Sequence, residues 1–250
     1  MARNHAPPRQ SQLPPIAEPA MRRSAVLLFL LCLHAAPGFA PRAAAAPAPK
    51  PGSRVLGIAL EAVACAHAQG LPQGQRLALI DYRLPANLPR LWVYDLVSGS
   101  VLFHERVAHG RGTGELMATR FSNDTDTHAS SLGLFLTEQT YDGANGYSLR
   151  LRGLEPGIND RAMERQIVMH GADYVSDAFI RMAGRLGRSF GCPAVRREVA
   201  QPMIDSLKGG QYVLAYYPDA QWLKTSRYLG CAKRVPVVPT RARSGTAAAD

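Results

Sequence analysis

Gln166-Ile167-Val168-Met169-His170-Gly171-Ala172-Asp173-Tyr174, followed by Arg188-Ser189-Phe190-Gly191-Cys192-Pro193, is the stretch on which the reading of this chain turns. The apolar run before His170 predicts a buried strand with the histidine at its end. Cys192 stands directly after a glycine and before a proline, which suits a sharp exposed turn better than a core position. A base at a strand end and a thiol on a nearby loop is how cysteine nucleophiles are commonly built. Taken singly, each residue has a plainer reading. His170 alone fits a strand-end histidine bonded to backbone, and Cys192 alone fits a small buried hydrophobe. Together, inside Ser-Phe-Gly-Cys-Pro, they read as base and nucleophile.

Outward from this stretch the texture is β. Leu77–Tyr82, Leu91–Leu96, Val101–Val107, Leu132–Thr137, Ser148–Leu151 and Tyr212–Tyr216 are short β-rich runs between turn signals such as Ser98-Gly99 and Asp142-Gly143. Three helices are predicted. Ser53 is a candidate N-cap for one running to about residue 68, with Leu56, Leu60 and Val63 on one face and Gly70 ending it. The second covers Val175 to Met182. The third covers Gln201 to Leu207, with Pro202 in its first turn, or begins as early as Arg197. The pattern implies a β-rich α+β fold, a sandwich with a few short helices. Hydrophobic content of 46% with 19% charged residues is enough for a core.

The chain resembles the murein L,D-transpeptidase catalytic domain family, a branch of the YkuD-like L,D-transpeptidases. Besides the stretch above, the resemblance is carried by Leu79-Ile80-Asp81-Tyr82, Arg90-Leu91-Trp92-Val93-Tyr94-Asp95-Leu96, Ala108-His109-Gly110-Arg111, Phe121-Ser122-Asn123, Ser131-Leu132-Gly133, Gly153-Leu154-Glu155, and Lys208-Gly209-Gly210 leading into Tyr216-Tyr217-Pro218-Asp219. It implies a catalytic domain over residues 54–230 with a mixed-sheet β-sandwich. It also implies a cysteine acyltransferase working on peptidoglycan stem peptides without a cofactor. Cys192 attacks, His170 is its base, and the Gly171 backbone carbonyl orients the imidazole. The backbone amides of Gly191 and Cys192 form the oxyanion hole. Tyr147 falls near the place where the wider family supplies a tyrosine hydroxyl. Acylation of Cys192 by carbapenems is expected.

The chain departs from the wider family around the nucleophile. Phe190 replaces a histidine, and Pro193-Ala194 replaces an apolar residue followed by Arg or Asn. The usual carboxylate-binding side chain is therefore missing. Arg188 and Arg196 are replacements of the right chemistry, since a guanidinium grips a carboxylate through two bonds. Arg188 is also placed to lower the thiol pKa. His109 reads as structural, His104 and His128 as solvent-facing, and Asp81 and Asp95 as turn or strand-end carboxylates. With no Cys/His cluster at ligand spacing, no metal site is expected.

Residues 1–45 read as a leader. Met21-Arg22-Arg23 is a basic n-region, Ala25 to Leu33 an apolar h-region, and Ala43 to Ala46 offers a cleavage site near Ala45. The start codon is then Met21 or Met1, and the apolar run is too short to span a membrane. Residues 46–53 form a Pro-rich spacer, and residues 231–250 lack an apolar period and read as a disordered tail. An exported product, in the periplasm or envelope with no stable membrane insertion, follows. The leader takes Cys32 with it and leaves Cys65, Cys192 and Cys231. An odd count leaves at least one thiol free: either Cys65 and Cys231 pair, or both are unpaired and buried. The formal charge of +10 drops to about +6 without the leader, which draws the protein to anionic envelope polymers. No block of Lys/Arg with interleaved aromatics points to nucleic acid. Two rivals share these residues. Water as acceptor gives an L,D-carboxypeptidase or a hydrolase that detaches wall-anchored proteins, and a non-catalytic wall-binding module needs no reactive thiol.

Overall fold

The computed structural model describes residues 51–231. The leader, residues 46–50 of the spacer and the tail after Cys231 lie outside the described residues. Eight strands form one sheet: β1 (Arg76–Asp81), β2 (Leu91–Asp95), β3 (Val101–Glu105), β4 (Gly133–Gly143), β5 (Gly146–Gly153), β6 (Val168–Gly171), β7 (Ala194–Val195) and β8 (Tyr212–Tyr216). Their order is β3-β2-β1-β8-β4-β5-β6-β7. The pairs β1/β8 and β6/β7 are parallel and the other pairings antiparallel, so the sheet is mixed. Leu77, Leu79, Leu134, Leu149, Met169 and Tyr212 are fully buried on its strands.

The sheet curls. The chain leaving β3, at one edge, runs to Ala108, which bridges Ala194 of β7 at the opposite edge. Helix α3 (Arg197–Leu207) touches both β6 and β1, which three strands separate, so the sheet wraps around it. Ala200, Met203, Ile204 and Leu207 are its buried face. The longer of the two expected versions of this helix is the one observed. Pro202 therefore lies inside it instead of in its first turn, with its ring on the exposed side.

Helix α1 (Ser53–Ala68) has the expected length but a different cap and face. Gly52 is the N-cap, its carbonyl accepting from the Val55 and Leu56 amides, and Ser53 is already helical. The buried stripe is Val55, Ala59, Ala62, Cys65 and Ala66, while Leu60 is exposed. Small side chains let the helix lie close to the sheet, and Cys65 forms a disulfide with Cys231. Helix α2 (Asp177–Ala183) starts from Ser176, whose hydroxyl caps the Phe179 amide. Helix α4 (Ala220–Thr225), which the sequence pattern did not predict, is capped by Asp219 and buries Trp222. The Trp222 indole donates to buried Glu155, whose Oε1 also accepts the Leu134 amide at 2.7 Å. Glu155 thus ties α4 to β4.

Candidate active site

The turn carrying Cys192 is held from behind by the chain after β3. Ser189 donates its amide to the His109 carbonyl at 3.0 Å and accepts the Arg111 amide at 2.8 Å. Arg90, fully buried, donates to the carbonyls of Val107 and Leu84 and to His109 Nδ1 at 2.7 Å. His109 Nε2 is then the protonated nitrogen and donates to the Gly114 carbonyl at 3.2 Å. Burial and the neighbouring Arg90 cation push the His109 pKa down to about 4. His109 is therefore a neutral strut, as its sequence context suggested.

Gly191 makes the turn. Its φ is +122°, and a Cβ there would sit 2.8 Å from Ile167 Cδ1 and 2.9 Å from the Ala129 carbonyl oxygen. Its carbonyl accepts from Ser130 Oγ at 3.0 Å, and its amide donates to Ser189 Oγ at 3.1 Å. The Ser189 hydroxyl in turn donates to the Cys192 carbonyl at 2.6 Å. One proposed oxyanion donor, the Gly191 amide, is thus engaged by a hydroxyl in this structure.

His170 lies on β6, and Cys192 enters the same ladder. His170 pairs with Ala194 and Gly171 with Val195, and one step back the Val168 amide donates to Cys192 Sγ at 3.4 Å. The thiol also points at the Gln166 carbonyl, 3.7 Å away. Val168 and His170 are two apart and share a face. The Val168 and His170 positions lie roughly 6.6 Å apart along the strand. Among the described residues, no hydrogen bond joins the two side chains directly.

The imidazole has one assigned tautomer. Nδ1 lies 3.0 Å from the Gly171 carbonyl oxygen, which only accepts, so Nδ1 bears the hydrogen and Nε2 is basic. Burial holds the His170 pKa below that of an ordinary histidine, with the Arg197 cation adding to the effect and the Gly171 carbonyl opposing it. Burial also pushes the Cys192 thiol up, outweighing the Val168 amide and the Arg165 guanidinium, which pull it down. Both shifts favour the neutral thiol and the neutral imidazole over an ion pair. This corrects the expectation that the neighbourhood lowers the thiol pKa: burial is the larger effect.

The three side chains expected to bind substrate are engaged elsewhere. Arg188 forms an ion pair with Glu115 at 2.6 Å and donates to the Gly114 carbonyl, which fastens the loop behind the turn. Arg196 grips Glu105 through two bonds, at 2.8 and 2.9 Å. Tyr147 donates to Asp205 of α3. Its neighbour Ser148 pairs with His170 across β5 and β6, so Tyr147 faces the opposite side of the sheet from His170. Neither histidine expected to face solvent does so freely. His104 stacks on Trp92, and His128 is half-buried, accepting from Arg111 and packing on Phe190. Asp81 and Asp95 cap turns, as expected, by accepting the amides of Arg83 and Val97.

Arg165 is the residue that the sequence reading missed. Its guanidinium donates to the Ser122 and Ala129 carbonyls and to Ser131 Oγ, beside the Cys192 turn. The available signal was a cation at the mouth of the apolar run ending in His170. Among the described residues, no three His, Cys, Asp or Glu side chains cluster to hold a metal ion.

The model of the L,D-transpeptidase catalytic domain family matches residues 48–216, well over half of the 250-residue chain. The chain belongs to this family. No curated protein matches it. Among solved structures it is similar to an L,D-transpeptidase from Mycobacterium smegmatis, at 14% identity over 57% of this chain and 59% of that one, with a TM-score of 0.35. L,D-transpeptidase 3 from Mycobacterium tuberculosis is 12% identical over 57% and 61%, with a TM-score of 0.37. An L,D-transpeptidase from Stackebrandtia nassauensis is 16% identical over 66% and 67%, with a TM-score of 0.34. The chain thus spans about three-fifths of the length of the two mycobacterial proteins.

Proposed function

We propose that this protein is an exported cysteine L,D-transpeptidase acting on peptidoglycan stem peptides, with Cys192 as nucleophile and His170 as general base and acid. The observation that carries this reading is the His170–Gly171 clamp, which presents a basic Nε2 on the ladder that Cys192 enters. With both groups neutral at rest, the thiol proton passes to Nε2 as the C–S bond forms. Sγ attacks the carbonyl between the third residue of the stem and its terminal D-alanine, having swung away from the Val168 amide.

The tetrahedral oxyanion is met by the backbone amides of Gly191 and Cys192, the former released from Ser189 Oγ. As the C–N bond breaks, His170 returns the proton to the D-alanine nitrogen, leaving a thioester on Cys192. A side-chain amine of a neighbouring stem attacks the thioester and forms the cross-link, and the sulfur regains its proton. No cofactor is required, because the thioester conserves the energy of the amide. The free Cys192 thiol is open to acylation by carbapenems in the same way, the β-lactam amide bond breaking as the thioester forms.

Export is supported by the Cys65–Cys231 disulfide, a bond of oxidising compartments, which leaves Cys192 as the free cysteine of the described residues. Among the described residues no helix is long and apolar enough to cross a membrane. The deciding experiment is mass spectrometry of tetrapeptide stems incubated with the purified protein. A joined dimer with released D-alanine is expected. Loss of D-alanine alone would make the enzyme hydrolytic, and unchanged peptides would leave a wall-binding module.

A further inference from the structure

Arg165 forms no ion pair among the described residues, and Asp124 acts on its charge only from a distance. Its Nη1 donates to the Ser122 carbonyl at 2.8 Å and to Ser131 Oγ at 2.7 Å, and its Nη2 to the Ala129 carbonyl. Three of its five donors are thereby fixed by neutral oxygens. Nε–H and one hydrogen on Nη2 meet no acceptor among the described residues. The Nε–Nη2 edge, with its unengaged Nε–H, is one through which a guanidinium takes a carboxylate.

The side chain lines a cleft of about 260 Å³ together with Thr125, Asp126, His128, Glu164, Gln166 and Phe190. Its inner end reaches the nucleophile: the Gln166 carbonyl is the thiol's acceptor, and Arg165 Nη2 lies 3.4 Å from where a Cβ on Gly191 would stand. Asp126, His128 and Gln166 adopt φ of 61°, 50° and 53°, and they are the non-glycine residues at positive φ among those described. All three border this cleft. Left-handed backbone at non-glycine residues is strained and collects where a ligand is clamped. The two carboxylates of the cleft do not cancel the cation. Glu164 is held by Arg161 at 3.0 Å, and Asp126 is exposed.

In a donor attacked at its last amide, the terminal carboxylate carbon is separated from the attacked carbon by the amide nitrogen and one Cα. That is about 3.5 Å, less than one residue's reach. Whatever grips this carboxylate must adjoin the thiol, as Arg165 does. Arg188 and Arg196, each paired with a glutamate, are already occupied.

We propose that Arg165 binds the terminal α-carboxylate of the donor stem peptide through its open fork and so sets the enzyme's requirement for a free C-terminus. This rests on the reading of Cys192 as the nucleophile acting on that peptide. The test compares a tetrapeptide donor ending in a carboxylate with the same peptide ending in a carboxamide, following Cys192 acylation by mass spectrometry. The wild-type protein is expected to favour the acid at least tenfold in kcat/KM, mainly through KM. In Arg165→Gln the ratio should fall to near one, while iodoacetamide labelling of Cys192 moves to somewhat higher pH, because the guanidinium that pulls the thiol down is gone. Arg165→Lys, which keeps the charge and loses the fork, should retain only part of the preference, and it serves if the glutamine variant does not fold. Equal use of both donors by the wild type, or full preference in either variant, overturns the proposal. If neither donor acylates wild-type Cys192, the proposed function itself fails, an outcome distinct from equal acylation.

Discussion

The Val168 amide donates to the thiol of Cys192 at 3.4 Å, so the sulfur occupies a backbone position on the β6 edge that a paired strand would otherwise fill. The strand that carries His170 therefore also parks the Cys192 thiol, two residues away.

Cys192→Ala should abolish thioester formation while leaving the fold, because the loss amounts to two weak sulfur hydrogen bonds worth about 1 kcal/mol each at most. His170→Ala should slow acylation by about 10² to 10⁴-fold, the usual range for general acid–base help. The double variant should be hardly worse than either single, since the pair acts as a unit. D-alanine release measured on all three variants checks this, and release by Cys192→Ala would place the nucleophile elsewhere.

The labelling rate of Cys192 by iodoacetamide should climb with pH through a midpoint above about 8.5, the free-cysteine value, because burial raises the thiol. An acidic plateau would signal a resting ion pair and contradict the neutral pair described above. Turnover should instead fall on the acid side, below the ordinary histidine range near 6.5, as the depressed His170 finally takes a proton.

Stability should drop as pH falls from about 6.5 toward 4. Unfolded His109 takes up a proton near 6.5, whereas the folded residue resists until about 4. The folded state binds fewer protons in this window, so its advantage is complete above about 6.5 and is lost as pH falls. The ceiling is roughly 3 kcal/mol. Urea denaturation at pH 7 and pH 4.5 measures it, and His109→Gln should flatten the slope.

Gly191→Ala should cost both stability and rate. The left-handed φ alone costs about 1–3 kcal/mol, and the added Cβ meets Ile167 and the Ala129 carbonyl. Displacing the amide of an oxyanion hole typically lowers kcat by about 10² to 10³-fold. Tyr147→Phe and Arg196→Ala, by contrast, should leave donor kinetics unchanged. A raised KM in either would restore the substrate-binding role first expected of it.

The juxtaposition of His170 and Cys192 on one ladder was legible because it rests on local pattern. An apolar run ending in histidine and a Gly-Cys-Pro turn both declare themselves along the chain. The direction of a long cation does not. Arg188 and Arg196 looked apt by composition, but their partners, Glu115 and Glu105, lie far off in sequence and meet them only after folding. Arg165 escaped notice because its aim depends on the φ of Gln166 and on oxygens supplied from residues 122 to 131. The strand β7 was invisible for a related reason. Its two residues exist as a strand only because His170 and Gly171 are there to pair with them.

Cys65 and Cys231 stand 166 positions apart, and closing so large a loop restricts the unfolded chain by an entropy worth about 5 kcal/mol in the simplest treatment. Reduction, or Cys65→Ser, should lower the thermal midpoint. The realised loss should be about 2–5 kcal/mol, with Cys192 reactivity unchanged at lower temperature.

The parallel pair β1/β8 joins Leu77 to Tyr212 and Asp81 to Tyr216, so the middle of the sheet is made from opposite ends of the domain. Contacts so distant along the chain pay their loop-closure entropy before they return any stability, which makes folding slow and late. During synthesis β1 and β2 wait as a hairpin without the neighbour that buries them, until the last strand arrives. A chain that matures in this order completes the middle of its sheet only once the final strand is in place.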